Sequence, residues 1–147
     1  GIGSGKTTVA SLFHELGIPV YDSDQRAKDL YTESKVLKAK MQNHFGKDIY
    51  TNTGINRSKL AQIVFKDKLQ LEVLNGFVHP LLQKDFEYWN EKQLAPFVIR
   101  EAAILIESGA YKVCDKIIVV TASETLRTQR VMARDNTTEE QVKQRIA

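Results

Sequence analysis

The chain has 147 residues, 42% hydrophobic and 27% charged, with 21 Lys and Arg against 18 Asp and Glu for a formal charge of +3. That much apolar side chain excludes a disordered chain, and the length suits one compact domain or one core with a sizeable insertion. No apolar run reaches 18 residues, which excludes a membrane-spanning helix, and the lone Cys114 excludes an internal disulfide and fits a reducing, cytoplasmic setting.

In chain order, a glycine-rich opening, Gly1 to Thr8, leads into a helix-compatible run from Val9 to Leu16, which Gly17 stops as a C-terminal cap. Ile18-Pro19-Val20-Tyr21 reads as a short buried strand ending at Asp22-Ser23-Asp24. From Gln25 to Gln93 the pattern turns charged and helical, with helices predicted at Gln25–Tyr31, Ser34–Phe45, Ser58–Phe65, Lys68–Asn75 and Pro80–Leu94. Turns are predicted at Thr51-Asn52-Thr53-Gly54 and at Asn75-Gly76. Strand character returns at Phe97-Val98-Ile99 and at Lys116-Ile117-Ile118-Val119-Val120, whose β-branched run suits a strand buried on both faces of a parallel sheet. A helix is expected over Ser123–Ala133 with Ser123 as N-cap, and overlapping capping boxes at Thr137 and Thr138 announce a last helix running to Ala147. The layout is α/β at both ends with an all-helical insertion between.

Gly5-Lys6-Thr7 is the second half of the G-x-x-x-x-G-K-[ST] phosphate loop. Glycines let successive backbone N–H groups converge on phosphate oxygens, and the following helix turns its positive N-terminus to the same anion. On this reading Gly3, Ser4, Gly5, Lys6, Thr7 and Thr8 cradle ATP, Lys6 reaches the β/γ-phosphates and the Thr7 hydroxyl completes a Mg²⁺ shell. The bland alternative is a flexible Gly/Ser terminus with a chance GKT. No N-K-x-D guanine-reading motif occurs, and a helical insertion after the Ile18–Tyr21 strand suits a small-molecule kinase better than a GTPase.

Asp22 and Asp24, two apart on a strand end, would point the same way, and one could accept a proton from an attacking hydroxyl. The competing reading makes them part of an Asx turn, with Ser23 or Asp24 capping the next helix. Arg127, Arg130 and Arg134 recur at i, i+3 and i+7, so they share one helix face whose repulsion an anion must offset; a solvated face is the alternative. Arg57 opens a helix where it could hold an anion or simply be solvated. His79-Pro80 reads as a helix start, with His79 either packed or facing a ligand. His14 and His44 read as surface or helix-packing residues, three His with one distant Cys give no zinc spacing, and Phe86, Tyr88 and Trp89 read as core.

Taken together, Gly1–Thr8, Leu16–Asp24, Gly54–Leu60, Ile63-Val64-Phe65, Leu74–Pro80, Ala103–Gly109 and Arg130–Asp135 closely resemble the dephospho-CoA kinase family, in order and over nearly the whole chain. The resemblance implies a P-loop kinase-like parallel sheet flanked by helices, a helical substrate-binding insertion and a lid. It assigns residues 1–24 and 96–147 to the nucleotide core, with the lid around 125–145, and 25–95 to the helical domain that holds the CoA portion. It implies transfer of the γ-phosphoryl group of ATP, with Mg²⁺, to the ribose 3′-hydroxyl of dephospho-CoA. Asp24 falls on the family's catalytic aspartate, Asp22 beside it, and Arg57, His79 and Glu107 on the acceptor side; Arg134 is the first choice among the lid arginines. Where the family reads Asp-x-Pro-Leu-Leu-Phe-Glu, this chain reads Glu101 to Glu107 with Glu101 for Asp and Ala103 for Pro. Glu101 keeps a carboxylate where a metal-bridging water or substrate could be met.

The competing functions are another small-molecule or nucleoside P-loop kinase, or an ATP-binding regulatory module. No nucleic-acid or membrane partner is expected, and the protein is expected to be a monomer or weak homo-oligomer. The sequence begins inside its phosphate loop and stops at Arg145-Ile146-Ala147 in a helix still running, so it is expected to be a fragment truncated at both ends; the family resemblance implies a whole protein of roughly 190–200 residues, within the usual single-domain range.

Overall fold

The computed structural model describes residues 1–146. In chain order the elements are α1 (Lys6–Glu15), β1 (Val20–Asp22), α2 (Ser23–Glu33), α3 (Lys35–Phe45), β2 (Tyr50–Thr51), β3 (Gly54–Ile55), α4 (Arg57–Lys66), α5 (Lys68–Asn90), β4 (Ile99–Glu101), α6 (Glu124–Asp135) and α7 (Glu139–Ile146). Short 3₁₀ turns lie at Lys47–Ile49 and Ala110–Val113. Two compact units divide the chain: Gly1–Tyr21 with Leu94–Ala147, and Asp22–Gln93.

In the first unit α1 ends as its sequence predicts. Gly17 takes φ +82°, its N–H bonds the His14 carbonyl at 2.9 Å, and the Ile18 N–H bonds that of Phe13 at 3.0 Å. This is a Schellman motif, which turns the chain directly into β1. β1 pairs in parallel with β4, against which α1 packs. The expected strand Phe97–Ile99 is displaced to Ile99–Glu101.

The expected strand Lys116–Val120 does not form, and Ile117, Ile118 and Val119 are 45%, 63% and 77% exposed. A strand needs a neighbour for its backbone N–H and C=O groups. Among the described residues β1 and β4 pair only with each other, and 116–120 joins neither of them. Further on, Ser123 Oγ accepts the Leu126 N–H at 3.3 Å, capping α6 as expected. At α7, Thr138 and Gln141 form a reciprocal capping box. Ala147, where the last helix was expected to end, lies outside the described residues.

The second unit is helical, with a two-residue hairpin ladder (Tyr50 opposite Ile55, Thr51 opposite Gly54) at the expected turn. Its helices start on side-chain caps: Asp22 for α2, Ser34 for α3, Asn56 for α4 and Asp67 for α5. Leu30, Leu37, Met41, Phe45, Ile49 and Leu60 fill the core. Arg26 links α2 to α5 through a two-pronged contact with Asp85, at 3.0 and 2.8 Å, and also reaches Glu33 at 3.2 Å.

The turn expected at Asn75-Gly76 is absent, because α5 runs unbroken through it and through Pro80. Pro80 has no N–H for the Gly76 carbonyl, a loss worth about 3 kcal/mol in a helix interior. Leu74, Val78, Leu82 and Phe86 stand four apart on one buried stripe across the break. Burying such side chains yields about 1.5–3 kcal/mol each, which outweighs the lost bond. His79-Pro80 therefore lies inside a helix and does not begin one. Of the aromatics assigned to the core, Phe86 is buried and Trp89 stacks on it at 6.2 Å, but Tyr88 is exposed with Lys92 3.5 Å over its ring.

Candidate active site

The phosphate-loop residues lie in the first unit. Gly3 and Gly5 take φ +74° and +101°, values L side chains rarely adopt, and these reversals bend the loop into the first turn of α1. Gly5 is the N-cap and carries no side chain to occupy the first amides, and the first turn holds no acid. The N-terminus of this ten-residue helix is thus left open to an anion, with Lys6 in its first turn. Ser4 is buried and its hydroxyl has no partner among the described residues; Thr8 is exposed.

The Thr7 hydroxyl donates to Glu101 Oε1 at 2.7 Å, joining the loop to the end of β4 across 94 residues of sequence. A hydroxyl and a carboxylate side by side are hard oxygen donors, and Mg²⁺ characteristically takes one or two protein oxygens, leaving its other positions to phosphates and water. The pair therefore fits that ion. No cluster of three or more His, Cys, Asp or Glu occurs among the described residues, so a cage for a softer metal is lacking there.

Two of the three arginines reach the loop. Arg127 Nε donates to the Ile2 carbonyl at 2.9 Å, and Arg130 Nη1 to the carbonyls of Ser4 at 3.3 Å and Gly3 at 3.5 Å. These carbonyls offset the like charges on α6. Arg134 instead grips its own neighbour Asp135, at 2.7 and 3.1 Å, with a mostly exposed side chain. Glu107 is exposed in the turns after β4.

The remaining expected residues belong to the second unit. Asp22 and Asp24 do not sit together on a strand. The helix begins at Ser23, so Asp22 becomes its N-cap, accepting the Gln25 N–H at 2.9 Å, and Asp24 lies in its first turn. The cap is thus Asp22, neither Ser23 nor Asp24, because only its carboxylate precedes the first helical residue. Asp24 is exposed.

Arg57 opens α4 and lines a recess of roughly 200 Å³ with Tyr31, Ile55, Leu60 and Ala61. Burial pushes the Tyr31 phenol up, against the opposing pull of the Arg57 charge. The Tyr50 hydroxyl donates to the Tyr31 carbonyl at 2.9 Å, and burial raises that phenol to about 12. His79 is half-buried on α5, where burial holds its imidazole below the ordinary 6.5. His44 packs edge-on against Phe45 and Phe77 and meets Gln70 at 2.9 Å, as a helix-packing residue should.

Three features escaped the sequence reading: the Thr7–Glu101 bond, the arginine contacts to loop carbonyls, and the recess that Tyr31 lines with Arg57. Only the first left a signal, a carboxylate at the end of a strand near a phosphate loop.

The profile of the dephospho-CoA kinase family matches residues 1–147. A dephospho-CoA kinase of Porphyromonas gingivalis is 42% identical over 146 residues, spanning 99% of this chain and 72% of that protein. One from Mannheimia succiniciproducens is 39% identical over 98% of this chain and 68% of its own length. Among solved structures, TT1252 from Thermus thermophilus superposes with a TM-score of 0.81 at 31% identity, covering 97% of this chain and 72% of that one. Dephospho-CoA kinase from Campylobacter jejuni superposes at 0.61 with 27% identity, covering 96% and 72%.

Proposed function

Since the chain belongs to the dephospho-CoA kinase family, and so phosphorylates the ribose 3′-hydroxyl of dephospho-CoA with ATP in the last step of coenzyme A synthesis, we propose a role in that transfer for each site residue. The phosphate loop and the open end of α1 hold the triphosphate, and Lys6 neutralises the charge developing on the transferred group. Thr7 and Glu101 hold Mg²⁺, which supplies further neutralisation of the phosphate oxygens when bound. Asp24 takes the proton of the 3′-hydroxyl as its oxygen forms a bond to the γ-phosphorus and the bond from that phosphorus to the β-phosphate oxygen breaks.

The second unit serves the acceptor, with Asp22 fixing the start of α2, and Arg57 and His79 meeting the substrate. Glu107 is a further substrate contact, and Arg134 leaves Asp135 to meet the transferred phosphate as the lid closes. We place the activity in the cytoplasm, in a monomer or weak homo-oligomer without a nucleic-acid partner. The lone half-buried Cys114 suits a reducing compartment, and no helix among the described residues is long and apolar enough to cross a membrane.

The observation that carries this reading is the Thr7–Glu101 pair set beside an uncapped helix start. A coupled ADP-release assay tests it, with dephospho-CoA, dephosphorylated analogues and nucleosides as acceptors. Turnover is expected with dephospho-CoA. Turnover with a nucleoside and none with dephospho-CoA would overturn it.

A further inference from the structure

Helix α6 does more than carry arginines past the loop; its backbone is seated on it. A Cβ added at Gly3 would stand 2.6 Å from the Arg127 carbonyl oxygen, 3.1 Å from its Cα and 3.0 Å from Val131 Cγ2. Val131 is 1% exposed, so this face of α6 is fixed by packing. The Arg127 side chain then folds back over the loop: its Nη2 lies 2.7 Å from where a Gly1 Cβ would be, and its Nε donates to the Ile2 carbonyl at 2.9 Å. In a planar trans peptide the C=O and the following N–H point in opposite directions. Holding the Ile2 carbonyl towards α6 therefore turns the Gly3 N–H the other way, and the Arg130 contact to the Ser4 carbonyl does the same for the Gly5 N–H.

We propose that Arg127 is a positioning residue for the phosphate loop. It acts by donating from Nε to the Ile2 carbonyl and so presetting the direction of the loop amides, and it does not act by placing its charge on the transferred phosphate. The inference rests on the reading of Gly3–Thr8 as the ATP cradle.

The geometry supplies a test that separates the donor from the charge. Glutamine places its Nε2 the same number of bonds from the backbone as arginine places Nε, but carries no charge. Lysine keeps the charge and puts a methylene at that position. ATP and ADP affinities of the full chain are measured by calorimetric titration for the unmutated protein, Arg127→Ala, Arg127→Gln and Arg127→Lys, with thermal unfolding alongside.

Arg127→Ala is expected to weaken ATP and ADP by the same factor, about tenfold, as for loss of a charge-assisted hydrogen bond. Arg127→Gln should recover most of that loss, Arg127→Lys should not, and the KM for dephospho-CoA should stay unchanged. The inference is overturned by a loss confined to ATP, by rescue with Lys in place of Gln, or by unmutated affinities throughout. If Arg127→Ala does not fold, the Gln and Lys variants decide alone. Failure of the unmutated chain to bind either nucleotide would instead overturn the reading of the loop on which the inference stands.

Discussion

The two units of this chain hold their residues in different ways. In the first, the groups proposed to meet phosphate are main-chain amides, surrounded by two glycines at positive φ, a helix start left uncapped, and arginines on the outer carbonyls. In the second, the groups proposed to meet the acceptor are side chains spaced along helices, and what surrounds them holds those helices together: the Leu74–Phe86 stripe of α5 and the Arg26–Asp85 link. A site made of backbone needs particular residues at particular positions. A site made of side chains needs only a scaffold, and many apolar sequences provide one.

That contrast can be broken at several points. The largest effect is expected at Lys6→Ala, which should lower turnover by about 10²–10³-fold with little change in the KM for dephospho-CoA. A comparable rise in that KM would place Lys6 on the acceptor side. In the helical unit, Leu82→Ala should cost about 2–5 kcal/mol of stability, read by denaturant unfolding, because Leu82 belongs to the stripe that carries α5 through Pro80. A cost near zero would mean that the helix persists through Pro80 without that packing.

A smaller change is expected at Glu101→Gln. If Glu101 holds the ion with Thr7, the Mg²⁺ concentration for half-maximal turnover should rise by about 10–100-fold, as when the support of a metal ligand is lost. An unchanged Mg²⁺ requirement would reduce the Thr7–Glu101 bond to a structural tie.

The smallest effect concerns His79. Its folded-state imidazole is held below 6.5 by burial, so the unfolded chain binds a proton first as the pH falls. The stability this contributes is complete above the unfolded value and is lost as the pH drops through the folded one. Unfolding free energy should therefore decline below about pH 6.5, and His79→Gln should flatten that decline. A steeper decline in the variant would contradict a buried, neutral His79.

Local signals were legible wherever a few neighbouring residues decide the outcome. Gly17 ends α1, Ser123 caps α6 and Thr138 with Gln141 opens α7, because each involves backbone groups within one turn. Asn75-Gly76 misled because turn propensity is weaker than burial of a stripe that extends over more than three turns. Lys116–Val120 misled because strand pattern describes a side chain's surroundings and says nothing of whether a partner edge is within reach. The phosphate loop was legible from its glycines and Lys6. The two arginines that sit on it were not, since i, i+3, i+7 spacing places Arg127, Arg130 and Arg134 on one face without saying which part of that face meets the loop. The aspartates were misplaced as a strand pair, because helix α2 starts one residue after Asp22.

The division of labour is tested most directly on Asp24, by measuring ATP binding, dephospho-CoA binding and turnover together in Asp24→Asn. Both substrates should bind as they do to the unmutated chain while turnover falls by about 10²-fold or more, the loss of a positioned general base. Transfer at the unmutated rate would contradict the account.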